Sequence, residues 1–179
     1  MALSTVVTTL IILVVSVLLA GVVTYFAINV TSTRVQEESL SLSYMHVWFN
    51  SGATGAVPPT EAAIAIDNTG GRDVVIDKIT VRGQSVSFAS VYSAVSAPTS
   101  DLGYCPGLDD VYFGATKSAV AITQGSAGQQ ITLKSGNTLI VYISSPDSVT
   151  INDIGLTVSI TVFTSQAMYY QEANVQAYA

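Results

Sequence analysis

No Asp, Glu, Lys, Arg or His occurs in the first 33 residues of this 179-residue chain; Arg34 is the first base, and Glu37 and Glu38 are the first acids. The middle of that stretch reads Leu10-Ile11-Ile12-Leu13-Val14-Val15-Ser16-Val17-Leu18-Leu19-Ala20-Gly21-Val22-Val23. It exceeds the ~20 apolar residues that cross a hydrocarbon core. Water does not tolerate such a run, so lipid or protein must cover it. Its frequent β-branched residues lower helix propensity in water. In an apolar setting that preference is overridden, because the backbone must satisfy its own hydrogen bonds. Residues 2–38 therefore predict one helix, apolar on every side as buried helices are. Ser4, Thr5, Thr8, Thr9, Ser16 and Thr24 are its polar exceptions. Their hydroxyls can bond carbonyls one turn back, which makes them cheap to bury. Gly21 permits close approach of another helix or a slight bend. About 37 helical residues span roughly 55 Å, more than a bilayer needs. The far end, residues 29–38, reads as a polar zone emerging from the apolar layer.

The flanks constrain the reading further. A secretory signal peptide has a basic n-region, a short apolar core and a small-residue cleavage site. Here the basic region is missing and the apolar run is too long. A simple membrane anchor also carries basic residues on its cytoplasmic side, and none precedes this run. Removal of a short basic leader before Met1 explains both facts; an unprocessed start at Met1 is the alternative.

Beyond the helix about 140 residues remain, enough for one domain with its own core. Only 10% of the chain is charged, against ~25% in ordinary soluble domains. Abundant Ser, Thr, Val and Ile with little charge suits an extracellular all-β domain better than a cytosolic enzyme. The net charge of −6 and six scattered bases (Arg34, Arg72, Lys78, Arg82, Lys117, Lys134) argue against nucleic acid. One cysteine, Cys105, excludes an intramolecular disulfide and a zinc site built of cysteines.

From Ser39 the hydrophobic period changes from helical to alternating. Strands are expected over residues 43–50, 62–67, 74–82, 119–123, 130–134, 138–144, 156–162 and 169–177. Residues 85–91 are expected as a hairpin partner of the third strand, and residues 93–110 as a long irregular loop. Leu156-Thr157-Val158-Ser159-Ile160-Thr161-Val162 alternates most cleanly, its Leu/Val/Ile/Val face predicted inward. Short strands with turn signals every 8–12 residues predict a β-sandwich. The fold class expected is α+β: a long apolar N-terminal helix, residues 1–40, then an antiparallel, Ig-like β-sandwich domain, residues 41–179.

With these elements in place, the chain resembles an archaeal type IV pilin or a related archaeal surface-filament subunit. The resemblance rests on the uncharged helix, on its Leu19-Ala20-Gly21-Val22-Val23-Thr24-Tyr25 passage and on the Asp67-Asn68-Thr69-Gly70-Gly71 turn. It rests also on Leu133-Lys134-Ser135-Gly136-Asn137-Thr138-Leu139-Ile140-Val141, similar to the family's strand–turn–strand hairpins. The order of helix then sandwich is its specific part. The resemblance implies a structural role without catalysis or cofactor: leader removal by a dedicated peptidase, residence in the cell membrane, then ATPase-driven assembly into an extracellular helical homopolymer. Leu3, Val7, Leu10, Val14, Leu18, Gly21, Val22 and Phe26 are the helix positions expected to contact identical subunits. Bacterial relatives carry Glu at the fifth mature position; Thr5 stands here and points to the archaeal branch. Adhesion to surfaces or cells is the expected role. An archaeal flagellar filament subunit and a monomeric membrane-anchored binding domain are the alternatives.

Other residues have modest claims. His46, beside Trp48 in an apolar strand, reads as a structural histidine. Asp101, Asp109 and Asp110 flank Cys105 and could offer oxygens to Ca²⁺, but their spacing matches no EF-hand loop, and a solvated loop is the favoured reading. Cys105 reads as a small buried residue, with an intersubunit disulfide as the alternative. Asn29-Val30-Thr31 is the one N-glycosylation sequon, and the Ser/Thr-rich surface offers sites for O-glycosylation. Tyr169-Tyr170 and Tyr92, Tyr104 and Tyr112 suit adhesion or subunit contacts, or simply half-buried strand positions.

Overall fold

The computed structural model describes residues 2–35, 37–55 and 57–178. It shows the expected class, a long apolar N-terminal helix and a β-sandwich-like domain. Contacts divide the chain between Glu37 and Glu38 into two compact units.

Helix α1 runs Ala2–Val35, three residues short of the expected end. Its hydroxyls behave as their positions require: Thr8 donates to Ser4 O at 2.8 Å, Ser16 to Ile12 O at 2.7 Å and Thr24 to Ala20 O at 2.8 Å. Leu3–Thr33 is long and apolar enough to cross a membrane. At 1.5 Å per residue its 31 residues extend about 46 Å.

Among its described residues the β unit contains twelve strands. They are β1 Leu40–Asn50, β2 Thr60–Asn68, β3 Val74–Val81, β4 Gln84–Ser85, β5 Val91–Val95, β6 Asp110–Phe113, β7 Thr116–Ala121, β8 Thr123–Gln124, β9 Ile131–Leu133, β10 Thr138–Ser144, β11 Thr157–Thr164 and β12 Met168–Tyr178. Ten form one curled, mixed sheet ordered β4-β3-β11-β12-β1-β2-β10-β5-β8, with β9 on β3; β6 and β7 form a separate hairpin. The sheet is continuous across its two halves because β12 serves both. Its first part pairs antiparallel with β11, from Met168 to Asn174. Its last part pairs with β1, Val175 to Tyr178 beside Val47 to Asn50, and this pair is parallel. The expectation of a purely antiparallel domain is corrected here. Alternation fixes which face a residue takes, not the direction of the neighbouring strand.

The two halves enclose the main core. Ile64, Ile66, Val141 and Ile143 from β2 and β10 meet Ile76, Ile79, Val81, Val158, Ile160 and Val162 from β3 and β11. A second core lies on the opposite face of β1, β2 and β10, where Trp48, Ala63, Ala65, Ile140 and Tyr142 meet Leu102, Tyr104, Cys105 and Val111. Strands β2 and β10 are thus covered on both faces, which explains their nearly unbroken burial. β1 keeps apolar residues on the main core along its whole length by a change of parity. Leu40 and Leu42 face the first core from even positions, Met45 and Val47 from odd ones. The β1–β2 register shifts between Ser43 and His46, and Tyr44 there adopts φ +50°. Such a bulge inserts one residue and swaps the faces beyond it.

Four local expectations change. The passage Leu133 to Val141 is not a hairpin: β9 pairs with β3, while β10 pairs with β2 and β5. Its turn, with Gly136 at φ +77°, instead carries the chain between half-sheets. Only Gln84 and Ser85 return along β3; a 3₁₀ turn, Phe88–Ser90, capped by Ser87, then sends the chain across to β5. The segment expected as an irregular loop holds the end of β5 and the start of the β6–β7 hairpin. Leu156 lies before β11 and is exposed, while Val158, Ile160 and Val162 are buried as expected.

Candidate functional site

The bulge in β1 has a second consequence. By turning Met45 and Val47 into the main core it turns His46 and Trp48 to the opposite face. The parallel pairing with β12 sets Gln176 level with Trp48 and Tyr178 level with Asn50. Partners level across a strand pair share a face. These side chains meet residues 101–104 and the β6–β7 turn to form a cleft of about 430 Å³.

Aromatic rings build one wall. His46 stacks on Trp48, with centroids 5.2 Å apart and planes 13° apart. Trp48 meets the edge of Tyr104 at 6.1 Å, and Tyr104 stacks on Tyr178 at 4.2 Å. The Tyr104 hydroxyl donates to Pro58 O at 3.0 Å and accepts from Asn50 Nδ2 at 3.2 Å. Burial raises its pKa. His46 Nε2 donates to Asp101 Oδ1 at 2.7 Å, and the same oxygen accepts Leu102 N–H at 3.1 Å.

The opposite rim is held from below by Tyr142, which is fully buried. Its hydroxyl accepts Tyr112 N–H at 3.2 Å and lies 3.1 Å from both Gly103 O and Tyr112 O. One hydroxyl proton serves one of these carbonyls at a time. Burial is the largest cause of the rise in its pKa, so the proton stays in place. Gly103 N–H donates to Tyr112 O at 2.9 Å and Gly114 N–H to Asp101 O at 2.8 Å. A Cβ on Gly103 would lie 1.7 Å from Gly114 O. Glycine is required for the two backbones to approach so closely.

Beneath this wall sits Glu61, fully buried at the start of β2 and opposite Trp48. Its Oε1 accepts Cys105 N–H at 2.7 Å, while Oε2 is buried without a hydrogen bond. Burial pushes its carboxyl up to about 8, partly offset by the Cys105 bond. The expected strand began at residue 62, which left Glu61 in the preceding loop. A single acid before an apolar run carries no signal of burial.

The other candidates separate. His46 is structural in the sense expected, tied to Asp101 and Trp48, and it also lines the cleft. Asp101 lies with His46, whereas Asp109 and Asp110 both pair with Lys117. No group of three or more His, Cys, Asp or Glu placed to hold a metal exists among the described residues. Cys105 is buried, its thiol donates to Asp110 O at 3.1 Å, and burial pushes its pKa up to about 11. Tyr104 and Tyr112 line the cleft, Tyr92 lies level with Tyr142, and Tyr169 packs against the main core.

On α1, the expected contact positions Leu3, Val7, Leu10, Val14, Leu18 and Gly21 fall within ~80° of arc at 100° per residue. Val22 and Phe26 extend the arc, and all eight are exposed. A Cβ at Gly21 would meet nothing within 4 Å, so the glycine leaves a notch. Asn29 also lies on α1, and its carbonyl accepts from Thr33 Oγ1 at 2.9 Å.

No protein-family model and no curated protein matches the chain. Among solved structures, it is similar to the copper-bound PCuAC domain from PmoF2, with TM-score 0.35 and 13% identity over 79% of this chain and 99% of that one. So low a score carries no functional argument. The class defined by the fold is an apolar N-terminal helix joined to a β-rich domain, a layout that fits pilin-like proteins.

Proposed function

We propose that the chain is a structural subunit of an extracellular filament of the archaeal type IV pilin kind. One observation carries this reading: every described side chain from Leu3 to Thr33 on α1 is exposed, although the helix is apolar on all sides. Eighteen large apolar side chains between Leu3 and Val30 lack cover. At ~1.5–3 kcal/mol each, moving them out of water is favourable by some tens of kcal/mol. From lipid the gain is far smaller, because acyl chains are already apolar. Such a helix rests stably in the cell membrane and transfers to a bundle of identical helices, while escape into water is forbidden. Around 30 Å of hydrocarbon accounts for ~20 of its residues; a filament core uses the whole length and circumference. The β domains then form the outer surface and mediate adhesion. By resemblance, a leader peptidase and an assembly ATPase act before and during assembly.

The same helix favours a second reading, a monomeric membrane-anchored domain that uses the cleft for binding. Electron microscopy of sheared cell-surface material, with N-terminal sequencing of the subunit, separates the two. Filaments containing this chain support assembly; a monomer recovered only in detergent supports the anchor.

A further inference from the structure

We infer that the cleft between β1, the end of β12 and residues 101–115 binds the pyranose ring of a neutral carbohydrate. The inference concerns the β domain alone and holds whether the chain polymerises or remains anchored. The cleft, about 430 Å³, falls within the ~300–1,000 Å³ usual for small-molecule sites.

Its chemistry selects the ligand. Among the described lining residues there is no Lys or Arg, so a phosphate or carboxylate would meet no countercharge. A cage for an organic cation needs several open ring faces. Here Trp48 is 6% and Tyr104 4% exposed, and each is covered by a neighbouring ring. Tyr178 is the open platform: it lies on Tyr104 yet is 40% exposed. One platform flanked by hydrogen-bonding groups suits a sugar, which has an apolar C–H face and a rim of hydroxyls. The flanking groups are Asp101, Gln176 and His46. The Asp101 carboxylate takes both of its hydrogen bonds on Oδ1, which leaves Oδ2 for sugar hydroxyls. Its side chain is 61% exposed. A carboxylate accepts from two vicinal hydroxyls, and a Gln amide both donates and accepts. The site is also preformed. The Tyr142 hydroxyl and the Gly103–Gly114 approach fix one rim, and the parallel β1–β12 ladder fixes the other, so little ordering entropy is lost on binding.

Trp48 is the sole tryptophan and lines the cleft, so its emission reports this site alone. The test uses the full chain in a detergent without a sugar headgroup. It is titrated with the methyl glycosides of glucose, mannose, galactose and N-acetylglucosamine, and separately with tetramethylammonium chloride and sodium phosphate. The expected result is a saturable change with at least one glycoside, with Kd on the order of 1 mM, as a ligand of this size gives. Tyr178→Ala, Asp101→Asn and Gln176→Ala, each checked for an unchanged melting profile, should weaken it, the first two by ~10-fold or more. No saturable response to any glycoside overturns the inference. So does equal affinity in all three variants, or a response to tetramethylammonium or phosphate alone.

Discussion

Ile11 and Ile64 are the same residue in one chain, and they meet opposite surroundings. Ile11, in α1, is 55% exposed; Ile64, in β2, is fully buried. The difference extends to the units that hold them. Helix α1 satisfies its backbone internally and covers none of its side chains. The β domain covers β2 and β10 on both faces, one against the opposing half-sheet and one against residues 102–111. The domain is therefore complete as a folded object, and the helix is complete only as hydrogen-bonded backbone. A segment of that kind has its stability set by what surrounds it.

The sharpest way to break the comparison is to disturb each environment in turn, with a charge in the helix and a cavity in the domain core. Val14→Asp should abolish filaments while leaving the melting of the β domain unchanged. Filament yield by electron microscopy and melting by circular dichroism give the two readouts, and normal yield would sink the helical-core reading. The reverse case is Ile64→Ala, which leaves a cavity between the half-sheets. It should destabilise the domain by about 2–5 kcal/mol in denaturant titration and leave helix association intact.

Asn68→Ala should cost about 1–3 kcal/mol. The buried amide donates to Arg72 O at 2.8 Å and Leu133 O at 3.1 Å, and its oxygen accepts Gly70 N–H at 3.1 Å. Removing it strands two carbonyls where β2, β9 and β10 converge.

Glu61→Gln tests a pH effect. The carboxyl is raised in the fold from 4.5 to about 8. Below pH 4.5 both folded and unfolded states hold the proton, and its contribution is complete. As pH rises towards 8 the unfolded state releases the proton first, so stability falls. The glutamine keeps an oxygen for Cys105 N–H and cannot ionise. Wild type should lose melting temperature between pH 5 and pH 9, and the variant should lose less. Parallel curves would show that Glu61 does not carry the dependence. Asp153 offers the opposite sign: hydrogen bonds from Thr150 and Arg82 hold its carboxyl down at about 2. Its contribution is present above the ordinary carboxylate range and fades as pH falls towards 2.

The smallest effect is expected on the helix. Thr24→Val removes a hydroxyl that bonds only its own helix. It should change assembly little, because the hydroxyl satisfies no partner.

Legibility in the sequence followed the same division. The helix was readable from the absence of charge over 33 residues, and its hydroxyls fell into the expected back-bonds. Main-core strands such as Val158-Ser159-Ile160-Thr161-Val162 were readable because alternation maps directly onto one buried face. Strand β6 was not, and β7 was expected only over its last residues, since the two lie over an already formed sheet and carry little periodicity of their own. The cleft was illegible as a unit. Its residues come from positions 46–48, 101–115 and 176–178; His46, Trp48, Asp101 and some tyrosines had drawn notice, but nothing in the sequence joined them.

Composition and period, which act over neighbouring residues, determined that this chain has a helix needing outside cover and a β domain with its own core. Tertiary structure decided what local pattern leaves free. The bulge at Tyr44 set which side of β1 faces which core. The parallel run of β12 beside β1 brought Gln176 and Tyr178 to Trp48. Packing residues 102–111 over β2 turned Glu61 from an apparent loop acid into a buried, proton-holding one. Strand direction, partner choice and burial depend on contacts between distant segments, and no local window of sequence contains them.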